Sequence, residues 1–180
     1  LFLTSIVKME DKLIFFSSSK DCKIGDNKNE FINNQDEYEE LNKIKNFRRY
    51  LSNFHIYEFK YNDYTYKTIE HAFQGAKISL ANKEEGLKFT IESNNEIGLG
   101  DGKMARKNRK LVHLNAEQIK EWDKNKHDVM YEIALEKFKV CEISRDILLK
   151  TKNCQLWHTF PRMKYPIRCY YLEKIREELK

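Results

Sequence analysis

Glu70, Gln74 and Lys77 recur at intervals of four and three residues, so a helix would set a carboxylate, an amide and an amine along one edge. Thr68 is a good N-cap, which places Glu70 in the first turn, where the backbone's partial positive charge holds an acid. The preceding residues, Leu51 to Tyr66, are rich in aromatic side chains. A carboxylate fixed beneath aromatic rings suits a reaction that builds positive charge in its transition state. A lysine withheld from water on the same edge is a candidate nucleophile, able to form a Schiff base with a carbonyl carbon. Acids also favour first helical turns for the dipole alone, so position by itself leaves a structural role for Glu70 open.

The elements that must hold these groups follow from local pattern. Lys12 to Ser19 is expected as an apolar strand ending in a hydroxyl-rich turn. Tyr57, Phe59 and Tyr61 alternate, Asn62-Asp63 is a two-residue turn, and Tyr64 to Tyr66 returns as the second strand of a hairpin. In the helix after Thr68, the spacing gives Ile69, Phe73, Ala76 and Leu80 to the core, and Gly75 admits close approach of another segment. A further helix is expected around Lys83 to Glu92. Asn115 with Gln118 forms a capping-box pattern opening a long helix, marked by Ile119, Trp122, Lys126, Val129, Met130 and Ile133. Ser144 is expected to cap a helix through Leu149, Cys154 to Trp157 to form a short strand or turn, and Tyr170 to Leu179 a closing helix. The sum is an α+β single domain, a small antiparallel sheet packed with a mainly helical bundle, its strands gathered in the first half. Lys20 to Asn46 is polar, a solvated insertion with no expected chemistry, in which only Tyr38, Leu41 and Ile44 show helical period.

Other groups could complete a site. Ser52-Asn53 suits ribose or base edges, or a turn in which Asn53 bonds its own backbone. Lys103, Arg106 and Arg109 recur every three residues, as a phosphate-binding ridge or a solvated face. Trp122 is either core or, with Lys126 one turn away, a flat platform for a base. His71, His113, His127 and His158 are dispersed and no metal-ligand spacing appears, so metal-free chemistry with no cofactor is expected. His71 is expected to satisfy a buried hydrogen bond.

With 180 residues the chain can build one continuous core. The net charge of +5 favours phosphorylated or polyanionic partners without choosing one. Cys22, Cys141, Cys154 and Cys169 form no C-x-x-C pair, so free thiols in a reducing, cytoplasmic compartment are expected. No apolar run approaches the roughly 20 residues of a membrane helix. The chain opens on Leu1 rather than Met, so a natural start upstream or at Met9 is expected.

Several strings together carry a resemblance: FFSSSKD at Phe15 to Asp21, LSNF at Leu51 to Phe54, and Y-x-T-x-E-H-A-F-Q from Tyr66 to Gln74. Downstream lie Arg109, Trp122, Lys126, Met130, Lys137-Phe138, then Leu148 to Lys152 and Leu156-Trp157-His158. The chain resembles the NADAR proteins, which are linked to cleavage of N-glycosidic bonds. The resemblance implies a catalytic glutamate at Glu70, an aromatic platform at Trp122 with Trp157 a further counterpart, and an arginine near Arg106. Ser52, Asn53, Phe54, Gln74 and Lys126 join the expected substrate-binding set. With a sugar substrate, Lys77 beside Glu70 offers a second catalytic route, attack on the anomeric carbon to form a Schiff base with the opened ring, as an alternative to direct attack by water.

The implied domain spans 1–180 with the variable insertion at about 20–46. The implied partner is ADP-ribosylated nucleic acid, with ADP-ribose on guanine, or a phosphoribosylated small molecule such as an aminopyrimidine of riboflavin biosynthesis, as in the family's YbiA-like branch. A non-catalytic ADP-ribose- or nucleic-acid-binding module is a third possibility. The acidic, glycine-rich Tyr-Trp-Gly motif of that branch is absent, since the segment reads LWHTFPRMKYPIR. The second acid is therefore open, with Asp101 and Asp128 as its weak candidates.

Overall fold

Hydrophobic residues from both ends of the chain meet in one small sheet. The structure, a computed structural model, describes residues 9–16, 21–159 and 163–180. Ser17–Lys20 of the hydroxyl-rich turn and Phe160–Arg162 lie outside the described residues. Strand β1 (Lys12–Phe15) buries Leu13, Ile14 and Phe15. It runs parallel to β4 (Gln155–His158), pairing Lys12 with Gln155 and Phe15 with His158, and β4 is antiparallel to β5 (Ile167–Arg168).

The antiparallel hairpin is a separate sheet, β2 (Phe59–Tyr61) with β3 (Tyr64–Tyr66). Asn62 and Asp63 both take positive φ, 47° and 68°, the backbone that matches the right-handed twist of a two-residue hairpin. The architecture is the expected α+β, but strands also close the second half, through a mixed sheet whose pairing joins distant segments.

The polar insertion is anchored, not merely solvated. Ile24, Tyr38 and Leu41 are buried, the last two in a 3₁₀ turn (Gln35–Tyr38) and α1 (Glu39–Asn42). Arg48 of α2 (Phe47–Tyr50) meets Glu30 at 2.9 Å, with both side chains essentially closed to solvent. The Glu30 carboxylate also accepts the N–H groups of Ile14 (2.9 Å) and Gly25 (2.7 Å). Arg48 donates further to the carbonyls of Lys23 and Cys22. One ion pair thus ties the insertion to β1, a buried charge pair supported by hydrogen bonds on both members.

The helix α3 (Ile69–Ser79) begins where Thr68 caps it, Oγ1 accepting the His71 N–H at 3.2 Å. The His71 ring lies 2.8 Å from Thr68 Oγ1 and 2.9 Å from the Ile97 carbonyl, a satisfied buried histidine as its position predicts. Burial extends beyond the expected stripe, because α3 is flanked on several sides: Ile69, Ala72 and Ile78 are closed to water, whereas Phe73, Ala76 and Leu80 are half-buried. Gly75 does admit a neighbour, α4 (Lys83–Leu87). A Cβ on Gly86 would stand 2.8 Å from the Gly75 carbonyl, so the two backbones touch. The helix expected to reach Glu92 stops at Leu87 and turns follow.

Two short helices, α5 (Glu96–Leu99) and α6 (Gly102–Lys107), carry the glycine-rich basic run. The capping box of Asn115 and Gln118 forms in full and opens α7 (Ala116–Val140). Its core side is Trp122, Ile133, Ala134, Leu135 and Phe138, while Ile119 is exposed. Lys137 is wholly buried, donating to the His55 carbonyl at 2.8 Å, and burial pulls its ammonium down to about 7.

Ser144 does not cap α8 (Glu142–Lys150). It lies inside the helix, and its hydroxyl is taken by the Tyr50 carbonyl at 3.1 Å. The closing helix is α9 (Tyr170–Glu178). All four cysteines are free thiols, Cys22 half-exposed and the others buried. No helix among the described residues is long and apolar enough to cross a membrane.

Candidate active site

Glu70 stands in the first turn of α3, its N–H donating to the Asn53 carbonyl at 3.1 Å, so the LSNF turn and the helix start are stitched together. Only 4% of Glu70 is exposed. Its Oε1 accepts Gln74 Nε2 at 2.9 Å, one helical turn on. Arg106 of α6 brings Nη1 within 3.9 Å and remains 41% exposed, so the carboxylate lies just beneath the surface under a cation. Burial pushes the Glu70 carboxyl above its ordinary 4.5, opposed by the Gln74 hydrogen bond and the charges of Arg106 and Arg109.

Gln74 holds the most telling atom of this cluster. Its Oε1 is buried and accepts no hydrogen bond, while its Nε2 is committed to Glu70. A buried acceptor without a donor is costly, and sites that bind a ligand's hydroxyl or amine are where that cost is tolerated.

Packing explains how Arg106 arrives. Asp101 caps α6 by accepting the Met104 N–H at 2.9 Å, and Gly102 lies against the LSNF turn. A Cβ at Gly102 would stand 2.9 Å from Phe54 Cα, closer than side chains tolerate. Glycine therefore lets α6 seat on Phe54 and carry Arg106 to Glu70. Arg109 follows just beyond α6, donating to the Arg106 carbonyl at 3.2 Å, whereas Lys103 is exposed.

The remaining expected residues fall in three places. Ser52 is buried and accepts the Phe54 N–H at 3.1 Å, which is a turn role. Asn53 bonds no backbone of its own through its side chain: Oδ1 accepts the Tyr171 hydroxyl at 3.0 Å and Nδ2 approaches Met130 Sδ at 3.6 Å. Trp122 packs its indole on Phe73 of α3, centroids 4.8 Å apart and tilted by 56°, with 9% of the residue exposed. It lies beside the Glu70 helix, yet largely covered. Lys77 is half-buried one turn beyond Gln74, and Lys126 turns to Asp123 on its own helix at 2.7 Å.

Trp157 is not brought to this cluster. Its ring carries Lys12 at 4.4 Å and its Nε1 donates to Gln155 at 3.0 Å. Strand alternation sends the next residue, His158, to the opposite face. There its ring meets Phe15 at 5.1 Å, and burial together with the Arg106 charge draws it down to about 4, a neutral imidazole at pH 7. His158 lies in a string of the resemblance without a site role there, and Tyr171 lies in none; the sheet register and the packing of α9 place them beside the site.

Asp128 is exposed on α7 and Asp101 serves as a cap, so neither stands out as a second acid. No group of three or more His, Cys, Asp or Glu arranged for a metal occurs among the described residues. A separate cavity of about 420 Å³ lies between the hairpin and α7, lined by Lys60, Tyr61, Asp63, Glu132 and Glu136, and shares no residue with the Glu70 cluster.

The family model of the NADAR domain matches residues 14–165, the span that holds Glu70, Gln74 and Arg106. The chain belongs to the NADAR family. No curated protein matches this NADAR chain. Among solved structures it is similar to the NMR structure of the E. coli protein YbiA, at 23% identity and a TM-score of 0.55, over 73% of this chain and 78% of that one. That likeness confirms the fold. NADAR membership supports a glycosidase-type hydrolase role in general terms.

Proposed function

We propose that this NADAR protein is a metal-independent N-glycosidase that removes ADP-ribose from guanine in nucleic acid. The observation that carries the reading is Glu70, a buried carboxylate under a half-exposed arginine, beside an acceptor that lacks a donor. As the bond between C1″ of the ADP-ribose and the guanine nitrogen breaks, positive charge spreads over the terminal ribose ring, and the Glu70 carboxylate stabilises it. Water oxygen bonds to C1″, one of its protons is released, and the departing guanine nitrogen takes up a proton. Arg106 and Arg109 supply charge for the diphosphate, and Trp122 of α7 with Phe73 of α3 forms an aromatic pair beside the Glu70 helix. A chain carrying +5 favours a polyanionic substrate.

A second reading, implied by the family resemblance, is hydrolysis of a phosphoribosylamino-pyrimidine of riboflavin biosynthesis. Incubation with guanine-ADP-ribosylated DNA and, separately, with that intermediate decides between them. Release of free ADP-ribose with restored guanine is expected. No turnover of either, with ligand still bound, would leave a binding module instead.

Two further outcomes are expected here. Arg106→Ala removes the cation 3.9 Å from Glu70, one of the influences holding its carboxyl down. The acid limb of the kcat/KM profile should move to higher pH, and KM for the diphosphate substrate should rise roughly tenfold. An unmoved acid limb would separate Arg106 from Glu70. Lys77, half-buried on the same helix, offers the imine route. Borohydride added during turnover should leave the protein mass unchanged if water attacks directly, whereas a stable adduct absent from Lys77→Met would establish the Schiff base.

A further inference from the structure

Tyr171 sits in the first turn of α9 and is the residue through which that helix touches the Glu70 neighbourhood. A phenol has one proton, and here it goes to Asn53 Oδ1 at 3.0 Å. The Cys169 thiol is a further polar neighbour of the phenol, and the Glu70 carboxylate acts on it through its charge. Burial holds its ionisation well above the ordinary 10.0, so the hydroxyl stays a donor at any working pH.

The opposite side of the Asn53 amide agrees. Met130 sulfur, 3.6 Å from Nδ2, can only accept a hydrogen bond. A flipped amide would set a carbonyl oxygen against sulfur and leave the phenol's proton facing an N–H. Two independent contacts therefore fix which end of Asn53 is donor and which acceptor. Its Nδ2 keeps a second proton, beyond the one directed to sulfur.

Asn53 is joined to the catalytic turn by its own carbonyl, which receives the Glu70 N–H. Around that turn the protein thus offers one fixed donor, Asn53 Nδ2, and one unpartnered buried acceptor, Gln74 Oε1. A sugar hydroxyl is both donor and acceptor, and a vicinal pair of them complements such a set. Resting on the glycosidase reading above, we propose that Tyr171 is a positioning residue that sets sugar specificity, locking Asn53 as a donor so that the site selects a terminal ribose bearing its 2″-hydroxyl over the 2″-deoxy sugar.

Calorimetric titration of the full chain with ADP-ribose and with 2″-deoxy-ADP-ribose, which lacks that hydroxyl on the terminal ribose, tests this. The wild-type protein should prefer ADP-ribose by about tenfold, the equivalent of one good hydrogen bond. Tyr171→Phe keeps the ring and loses only the donor, and its preference should fall below about threefold. On the ribosylated substrate its KM should rise roughly tenfold while kcat holds within about threefold. Asn53→Asp, which turns the donor into an acceptor, should lose the preference as well. Melting temperature and near-UV circular dichroism report that both variants are folded. A folded Tyr171→Phe that discriminates as well as wild type overturns the role of Tyr171 alone. Failure of the wild-type protein to bind either ligand overturns the underlying substrate reading, and the inference with it.

Discussion

Glu70→Gln should lower turnover of an ADP-ribosylated guanine substrate by roughly a thousandfold while leaving ligand affinity within a few-fold. The carboxylate accepts the amide of the same Gln74 whose oxygen is left without a donor, and an amide in place of that carboxylate cannot balance a cationic sugar. The same change should make the protein more stable at neutral pH. Burial raises the Glu70 carboxyl above 4.5, so the folded state holds its proton more tightly than the unfolded chain does. Stability from that proton is complete below the unfolded value and is lost as pH climbs through the folded one. The variant should therefore gain melting temperature over wild type at pH 7, by about 2–4 °C for each kcal/mol released, and gain little at pH 4. Unchanged turnover on every ribosylated substrate would end the catalytic role of Glu70. Lost turnover with lowered stability would instead make Glu70 a structural acid.

Arg48→Met should be the most damaging single substitution for the fold. It leaves the Glu30 carboxylate buried, still accepting from Ile14 and Gly25 but stripped of its counter-charge. Breaking a buried pair from one side costs about 3–5 kcal/mol, which for a chain of this length lowers the melting temperature by roughly 10 °C. Adding Glu30→Gln to Arg48→Met should restore part of that loss, because no unpaired charge then remains. Urea unfolding of the three variants checks the order. A single variant within about 1 kcal/mol of wild type would show that the pair organises the insertion without stabilising it.

What could be seen in the sequence was local. The Thr68 cap, the Asn62-Asp63 turn and the Asn115–Gln118 box are each decided within a few residues, and each forms. Glu70, Gln74 and Lys77 share a helix, so their spacing sufficed to group them. Ser144 failed as a cap because the Tyr50 carbonyl, remote in sequence, claims its hydroxyl. Trp157 enters the expected site only through the family resemblance, yet the β1–β4 register and strand alternation turn His158, not Trp157, toward Arg106. The insertion looked solvated because Glu30 is an ordinary surface acid until Arg48 is folded against it. Tyr171 carried no motif at all, and only the packing of α9 against Asn53 identifies it.

The recognised domain stops at residue 165, but the helix that carries Tyr171 starts at Tyr170. Trimming an expression clone to the family boundary would delete Arg176, which anchors to Thr151 and the Cys154 carbonyl, together with the only described tether on the Asn53 oxygen. Such a fragment would retain every motif residue by which the chain is recognised. It would still lack the brace that orients one of them, and its inactivity would say nothing about the glutamate.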